Sequence, residues 1–457
     1  MRLNTMYISG IFKSYLPFYR RLLKLAFPLV LTQAGQTIVQ LVDNAMVGRV
    51  GTTELAAAAF ANSVFVVVLV FGIGIFLGLT PLIGHALGSS NDHKVAGIIK
   101  NGFILTLVIM VLLTLSAYAI SFFMPYMNQP DEVWKMAIPY YRLLTFSLLP
   151  FLLFMFFKQV GEGLNNTMLA MVATIASNII NIGLNYVLIF GKMGFPEMGL
   201  YGAGLATLIS RITMPFLIYF GFKSIKKINH YFKQAPSQKA NFVEIKKILV
   251  IGLPIALQML FEVSAFAFSA IMMGWMGDVP LAAHQVAMGM ASFTFMIANG
   301  VAMAATIRTS YQLGQKDYKS MGKVAFSAMH LVLGYMLLCG LLFMLARHQL
   351  PLLFTLDPEV IKLSASLLII AALFQVFDGL QVVGLGILRG FSDVKMPMLI
   401  ATISYLIIGI PISYVFAFTL NLGPKGIWYG FATGLATAGI LLFIRIKKKI
   451  KEFEALS

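Results

Sequence analysis

Twelve apolar runs, each of roughly twenty residues or more, divide this chain at about 25–47, 55–84, 97–124, 137–157, 167–190, 200–222, 248–274, 281–307, 324–346, 361–388, 396–421 and 426–446. As a helix, each is long enough to cross a hydrocarbon layer about 30 Å thick. No water reaches the backbone inside such a layer, so every N–H and C=O must be paired within the protein, and helices achieve this one segment at a time. The composition agrees: 59% of the 457 residues are hydrophobic and 11% charged, where a soluble domain has about 25% charged residues. The expected fold is an all-α polytopic membrane protein of twelve transmembrane helices. Cys339 is the single cysteine, so no intramolecular disulfide forms and helix packing must hold the fold. The segment before the first run has Pro17 and basic residues but no small-residue cleavage site, so that run is expected to insert uncleaved.

The net charge of +17 would raise the question of nucleic acid in a soluble protein. Here the charges report topology. With both termini inside, 26 of the 34 Lys and Arg residues fall in cytoplasmic segments and 7 in outer ones, leaving Arg211 within a run. That bias places both termini in the cytoplasm, and the dispersal over every inner loop argues against a nucleic-acid partner. Trp134, Trp275 and Trp428 all fall near outer ends, where an aromatic belt is expected. The longest polar stretch, 223–247, reads as a cytoplasmic linker between an N-terminal bundle (1–222) and a C-terminal bundle (248–457).

Those bundles are a repeat. LAFPLVLTQAGQTIVQ aligns with IGLPIALQMLFEVSAF, placing Pro28 on Pro254 at an offset of 226 residues. The same offset carries Gly48 to Gly274, Gly51 to Gly277 and Gly88 to Gly314; GEGLNNT then matches LRGFSDV at a slightly larger one. Six spans repeated in one orientation predict two six-helix bundles related by a pseudo-twofold axis along the membrane normal, an architecture of transporters that rock about a central site. Pro28 and Pro254 each remove a helix hydrogen bond, so a kink is expected in the first helix of each half, with or without a switching role.

Chemistry has to come from polar residues inside the runs. Asp43, Glu262 and Asp378 are acidic residues in otherwise apolar segments. An isolated carboxylate in hydrocarbon is costly, so each is expected to be neutralised by a proton, a metal cation or a basic partner, and Arg211 is the one basic candidate nearby. A group that either a coupling ion or a cationic substrate can neutralise, but not both together, produces exchange. The blander reading is that each carboxyl merely bonds a neighbouring helix. Glu262 and Asp378 lie near the middle of their spans, and Asp43 towards the outer end of the first. The repeat maps Asp43 to Ser269 and Glu262 to Gln36, so the halves differ in chemistry. Asn178, Asn181 and Asn185 recur at helical spacing and face a common cavity or bond between helices. Gln36, Gln258, Gln375, Gln381 and His284 are further candidates for a polar lining or for packing. GxxxxGK[ST] does not occur, so an ion gradient is the expected power source, without a cofactor. An intramembrane hydrolase on a Glu262–Asp378 dyad, or a channel, is less consistent with a repeat joined by a linker.

The runs QTIVQLVDNAMVG, LFEVSAFAF with LAAHQVA, FDGLQVVGLGILRGFSDVKMP and SNIINIGLNYVLIFGKMGFPEMGLYGAGLAT resemble the multidrug and toxic compound extrusion (MATE) family in its NorM-like branch, over nearly the whole chain. The resemblance implies a non-enzymatic multidrug antiporter of the inner membrane, exporting small organic cations against protons or sodium by alternating access. It implies that Glu262 and Asp378 serve the second-half site, where sodium would bind, and that Asp43 serves the first-half site with Asn181, Asn185 and Thr207. Some sodium-coupled members carry a tyrosine one turn before the Asp378 position; Phe374 stands there, so one oxygen ligand is missing. Membrane lipid is the expected surrounding partner, and the chain is expected to act as a monomer. A lipid-linked saccharide flippase of a related fold is the alternative, but its pyrophosphate would call for several basic cavity residues where Arg211 alone is available.

Overall fold

A computed structural model describes the backbone of residues 2–456 and the side chains of residues 14–456. Arg2 and Lys13 of the expected cytoplasmic set lie outside the described side chains. Twelve helices are long and apolar enough to cross a membrane, and no strand occurs among the described residues. They are α1 (Ser14–Gly48), α2 (Thr52–Gly88), α3 (Asp92–Ile120), α4 (Asp131–Gly163), α5 (Met168–Phe190), α6 (Gly199–Ser224), α7 (Phe242–Gly274), α8 (Asp278–Gly314), α9 (Tyr318–Leu345), α10 (Pro358–Gly390), α11 (Lys395–Thr419) and α12 (Pro424–Glu454). Several outrun their apolar cores. The 33 residues of α4 rise about 50 Å at 1.5 Å each, so the helix continues beyond the hydrocarbon into polar turns.

The repeat reappears as duplicated local geometry. Asn91 caps α3 by accepting from the Lys94 N–H at 2.9 Å, and Asp317 caps α9 by accepting from the Ser320 N–H at 3.0 Å. The residues just before the caps, Ser90 and Lys316, are both left-handed, with φ of 53° and 59°. Thr80 Oγ1 donates to the Gln159 carbonyl at 3.2 Å in the first half, and Thr306 Oγ1 to the Gly386 carbonyl at 2.7 Å in the second. These pairs are related by the sequence offset although most of their residues differ, so the duplication is held by backbone turns and crossings more than by side-chain identity.

Two compact units result: Leu31–Ala256, and the chain up to Val30 together with the chain from Leu257. Each boundary falls two residues beyond a proline, Pro28 in α1 and Pro254 in α7, and both helices run through that proline. Small residues make the handover possible. In the first unit Gly74 of α2 lies against Ala256 and Gly78 against Gly252, so closely that a Cβ on Gly74 would strike the Ala256 backbone. In the second, Gly300 of α8 takes Val30 in the equivalent place. Compact unit and sequence repeat are thus different divisions of the chain. The polar stretch 223–247 packs wholly in the first unit through a short helix, Lys226–Gln234, where Tyr231 Oη donates to Asp92 at 2.9 Å. Nearby, the Asn241 N–H donates to Asn101 at 2.7 Å.

Two expectations are corrected by packing. Trp428 is 0% exposed instead of joining an interfacial belt, because its ring is held by Phe374 at 5.5 Å and His284 at 5.8 Å between centroids. Trp275 is exposed, as expected. Lys158, one of the 26 basic residues counted as cytoplasmic and expected in a loop just after the run 137–157, is instead buried on α4 one turn from buried Glu162, with Nζ 3.9 Å from Oε1. Glu162, in the last turn of α4, is therefore a buried carboxylate in addition to the three read from the sequence.

Candidate functional site

In the unit Leu31–Ala256, Asp43 of α1 opens on a cavity of about 300 Å³ between α1, α2, α4, α5 and α6. Asn185 Nδ2 donates to Asp43 Oδ1 and, at 3.1 Å, to Asn181 Oδ1. Asn181 in turn donates to Ser210 Oγ on α6 at 3.3 Å, and that hydroxyl donates to the Thr207 carbonyl at 3.0 Å. The i, i+4 spacing of Asn181 and Asn185 is what brings both amides to one face of α5. Both asparagines are buried, so a carboxylate on α1 is tied through a continuous polar chain to α6. Gln36, Asn178 and Thr207 also line the cavity; the Thr207 hydroxyl bonds its own helix at the Ala203 carbonyl, 3.0 Å away.

The sequence reading left three contributors to this cavity out of the site. Tyr140 of α4 and Asn62 of α2 share a hydrogen bond. Arg211 of α6 donates from Nη1 to Ser147 Oγ at 2.9 Å, with its guanidinium over the rings of Phe151 and Phe65. An arginine alone in an apolar run was the available signal. Its pairing with a cavity is tertiary information.

The other unit holds the remaining carboxylates. Glu262 of α7 accepts from Gln258 Nε2 at 3.4 Å, and its Oε1 lies 3.5 Å from Tyr405 Oη on α11. Asp378 of α10 is buried and interacts electrostatically with Glu262, and Gln381 adjoins both Glu262 and Tyr405. Tyr405 is presented by a π-helical turn, Ile403–Gly409, in which the helix widens and side chains shift off the regular face. Glycines 430 and 434 of α12 lie against Ser413 and Ser404 of α11, which lets this irregular helix sit close. Phe374, one turn before Asp378, is buried in the aromatic cluster with Trp428 and Phe431, and adds no oxygen. The phenol near Glu262 comes instead from α11. Among the described residues no group of three or more His, Cys, Asp or Glu side chains gathers to hold a metal ion, so a cation here would complete its shell with neutral oxygens.

Both constellations sit on a fold with known counterparts. A family model described as MatE matches residues 28–187 and 254–415, one stretch in each half, each beginning at the proline that precedes the handover. The chain belongs to the MATE family. Within it, the chain is 32% identical over 442 residues to the multidrug resistance protein NorM of Photobacterium profundum, covering 94% of this chain and 95% of that protein. It is 33% identical over 442 residues to a probable multidrug resistance protein NorM of Mannheimia succiniciproducens, covering 95% and 94%. Among solved structures, a MOP superfamily transporter of Pyrococcus furiosus superposes with a TM-score of 0.87 at 21% identity, over 96% of this chain and 97% of that one. A MATE transporter in its straight conformation gives 0.88 at 22%, with the same coverage. These structural likenesses establish the fold; the sequence relatives place this MATE protein in the NorM-like branch of multidrug transporters.

Proposed function

We propose that this MATE protein exports small organic cations in exchange for protons or sodium, by alternating access between its two six-helix halves, 1–222 and 248–457. One observation carries the proposal: each compact unit encloses its own carboxylate constellation in otherwise apolar helices, Asp43 with Asn185 and Asn181 in one, and Glu262 with Asp378 and Tyr405 in the other. Carboxyls so placed are costly without a neutralising partner, and competition between coupling ion and substrate for that role converts an ion gradient into export. Glu262 and Asp378 are the pair proposed to take sodium, if sodium is the ion, with the Tyr405 hydroxyl as a neutral ligand. The excess of Lys and Arg in inner loops and the bacterial relatives support an inner-membrane position with both termini cytoplasmic. The protein is proposed to work as a monomer in lipid.

The test is transport of a fluorescent cation in proteoliposomes under an imposed proton or sodium gradient. Asp378→Asn, Glu262→Gln and Asp43→Asn are each compared with the wild type. At least one neutral variant is expected to lose gradient-driven transport while keeping its elution profile; if all three exported at the wild-type rate, the carboxylates would have no coupling role.

A further inference from the structure

We propose that the pocket where the last turn of α6 meets the short helix Lys226–Gln234 holds the phosphate of an anionic phospholipid from the adjoining leaflet, with Lys223 and Lys233 as its two cationic contacts. On the topology proposed above that leaflet is the inner one. The site is otherwise independent of what the protein transports and of which ion drives it.

The pocket begins in a sequence pattern. Tyr219, Phe222 and Lys223 of α6 sit at i, i+3 and i+4, and Asn229, Phe232 and Lys233 repeat that spacing ten residues later on the short helix. The spacing puts each triplet on one helix face, and the six residues together line a cavity of about 150 Å³. Its wall is aromatic and braced. Phe222 and Phe232 stack with centroids 5.3 Å apart and planes at 29°. Phe157 of α4 backs them at 6.3 Å and 6.0 Å, and Tyr219 at 5.7 Å. Buried Tyr231, through its bond to Asp92, keeps the short helix from swinging away from α3.

Charge decides the class of ligand. Two ammonium groups, the Asn229 amide and the Tyr219 hydroxyl are the polar groups of the pocket, and no carboxylate lines it. Among the described residues neither Lys223 nor Lys233 forms an ion pair. Lysines on two facing helix segments repel, while the stacked phenylalanines beside them hold those segments together, so an anion that accepts from both converts repulsion into attraction. A phosphate has the acceptor oxygens to meet two point charges and an amide at once. The surroundings favour a lipid phosphate over a free one. Ile212, Phe216 and Phe220 are exposed at four-residue spacing along α6, an apolar track for acyl chains that ends beside Lys223. The Lys223 ammonium lies 4.7 Å from the Tyr219 ring centroid and 5.6 Å from that of Phe220, where a lysine at the end of a span reaches headgroup level.

The test is native mass spectrometry of the purified full chain in detergent, titrated separately with phosphatidylglycerol and with phosphatidylethanolamine of the same acyl chains. Wild type is expected to hold one phosphatidylglycerol at least about tenfold more tightly than phosphatidylethanolamine. Lys223→Gln and Lys233→Gln are each expected to weaken phosphatidylglycerol binding about fivefold, and the double variant about twentyfold, with phosphatidylethanolamine binding unmoved. Lys226→Gln combined with Lys227→Gln removes the same charge from the same short helix outside the pocket, and is expected to change phosphatidylglycerol binding less than about twofold. Replacing Lys223 and Lys233 by arginine is expected to keep the preference. Glycerol phosphate, which carries the phosphate without acyl chains, is expected not to displace the lipid at millimolar concentration. Unchanged elution and phosphatidylethanolamine binding show that a variant is folded; if the double variant fails that check, the two single ones decide. Equal wild-type affinity for the two lipids, undiminished phosphatidylglycerol binding in the glutamine variants, or as large a loss from the Lys226 and Lys227 pair would overturn the proposal. So would displacement by glycerol phosphate, which would make the ligand a free phosphate.

Discussion

Replacing Gly74 by alanine tests the small-residue crossing that ties the first stretch of α7 to α2. An added methyl at Gly74 would fall on the backbone of Ala256, which has no rotamer to yield, so the helices must part. Overpacking of this kind costs about 1–3 kcal/mol. Against it stands the roughly 0.5–1 kcal/mol that alanine gains over glycine in a helix. From the midpoints of the two ranges, the net expectation is a loss of about 1 kcal/mol. Two controls calibrate the figure. At Gly300, the repeat equivalent, the new methyl meets Val30 Cγ2 first and the Val30 backbone N only at 3.2 Å, so Gly300→Ala is expected to cost less than Gly74→Ala. At Gly334 nothing lies within 4 Å, and Gly334→Ala is expected to stabilise. Equilibrium unfolding by SDS titration in mixed micelles ranks the three. A Gly74→Ala protein as stable as Gly334→Ala would refute the close crossing.

Tyr405→Phe removes a hydroxyl 3.5 Å from Glu262. So long a contact is worth no more than about 0.5–1 kcal/mol, so a two- to fivefold rise in the half-saturating coupling-ion concentration is expected, and an unchanged value would dismiss the contact. With Trp134 and Trp275 replaced by phenylalanine, Trp428 fluorescence is expected to be blue-shifted and resistant to acrylamide and brominated lipid, because the ring is 0% exposed; ready quenching would place it at an interface. Glu162→Gln leaves buried Lys158 without its carboxylate, a change expected to cost about 3–5 kcal/mol. Lys158→Met in the same chain is expected to recover much of that in SDS titration, and additive losses would show the pair to be uncoupled.

The fold was legible because its signals are local. Apolar run length set the number of spans, and one offset of 226 residues exposed the duplication that reappears in the Asn91 and Asp317 caps. Asp43, Glu262 and Asp378 stood out because a carboxylate in an apolar run is conspicuous at any depth, and the Asn181–Asn185 spacing placed both amides on one face. What escaped was information carried between helices. Tyr405 looks like any interfacial or core tyrosine until a π-helical turn brings it to Glu262. Trp428 sits at a run end that suits a belt, and only three aromatic neighbours reveal it as core. Lys158 marks a span boundary by charge, yet α4 continues past it and buries it against Glu162. The compact units escaped for a related reason: they are set by glycine contacts at Gly74 and Gly300, whereas sequence composition marks the polar stretch 223–247.

Coupling itself is tested most directly by loading proteoliposomes with equal concentrations of a fluorescent organic cation inside and outside, then imposing a proton or sodium gradient alone. Net movement of the cation against its own rising gradient, opposite in direction to the imposed ion and abolished when that ion is equilibrated, is the expected result. Movement that never exceeds equal concentrations on the two sides, whichever ion gradient is applied, would contradict cation-coupled export.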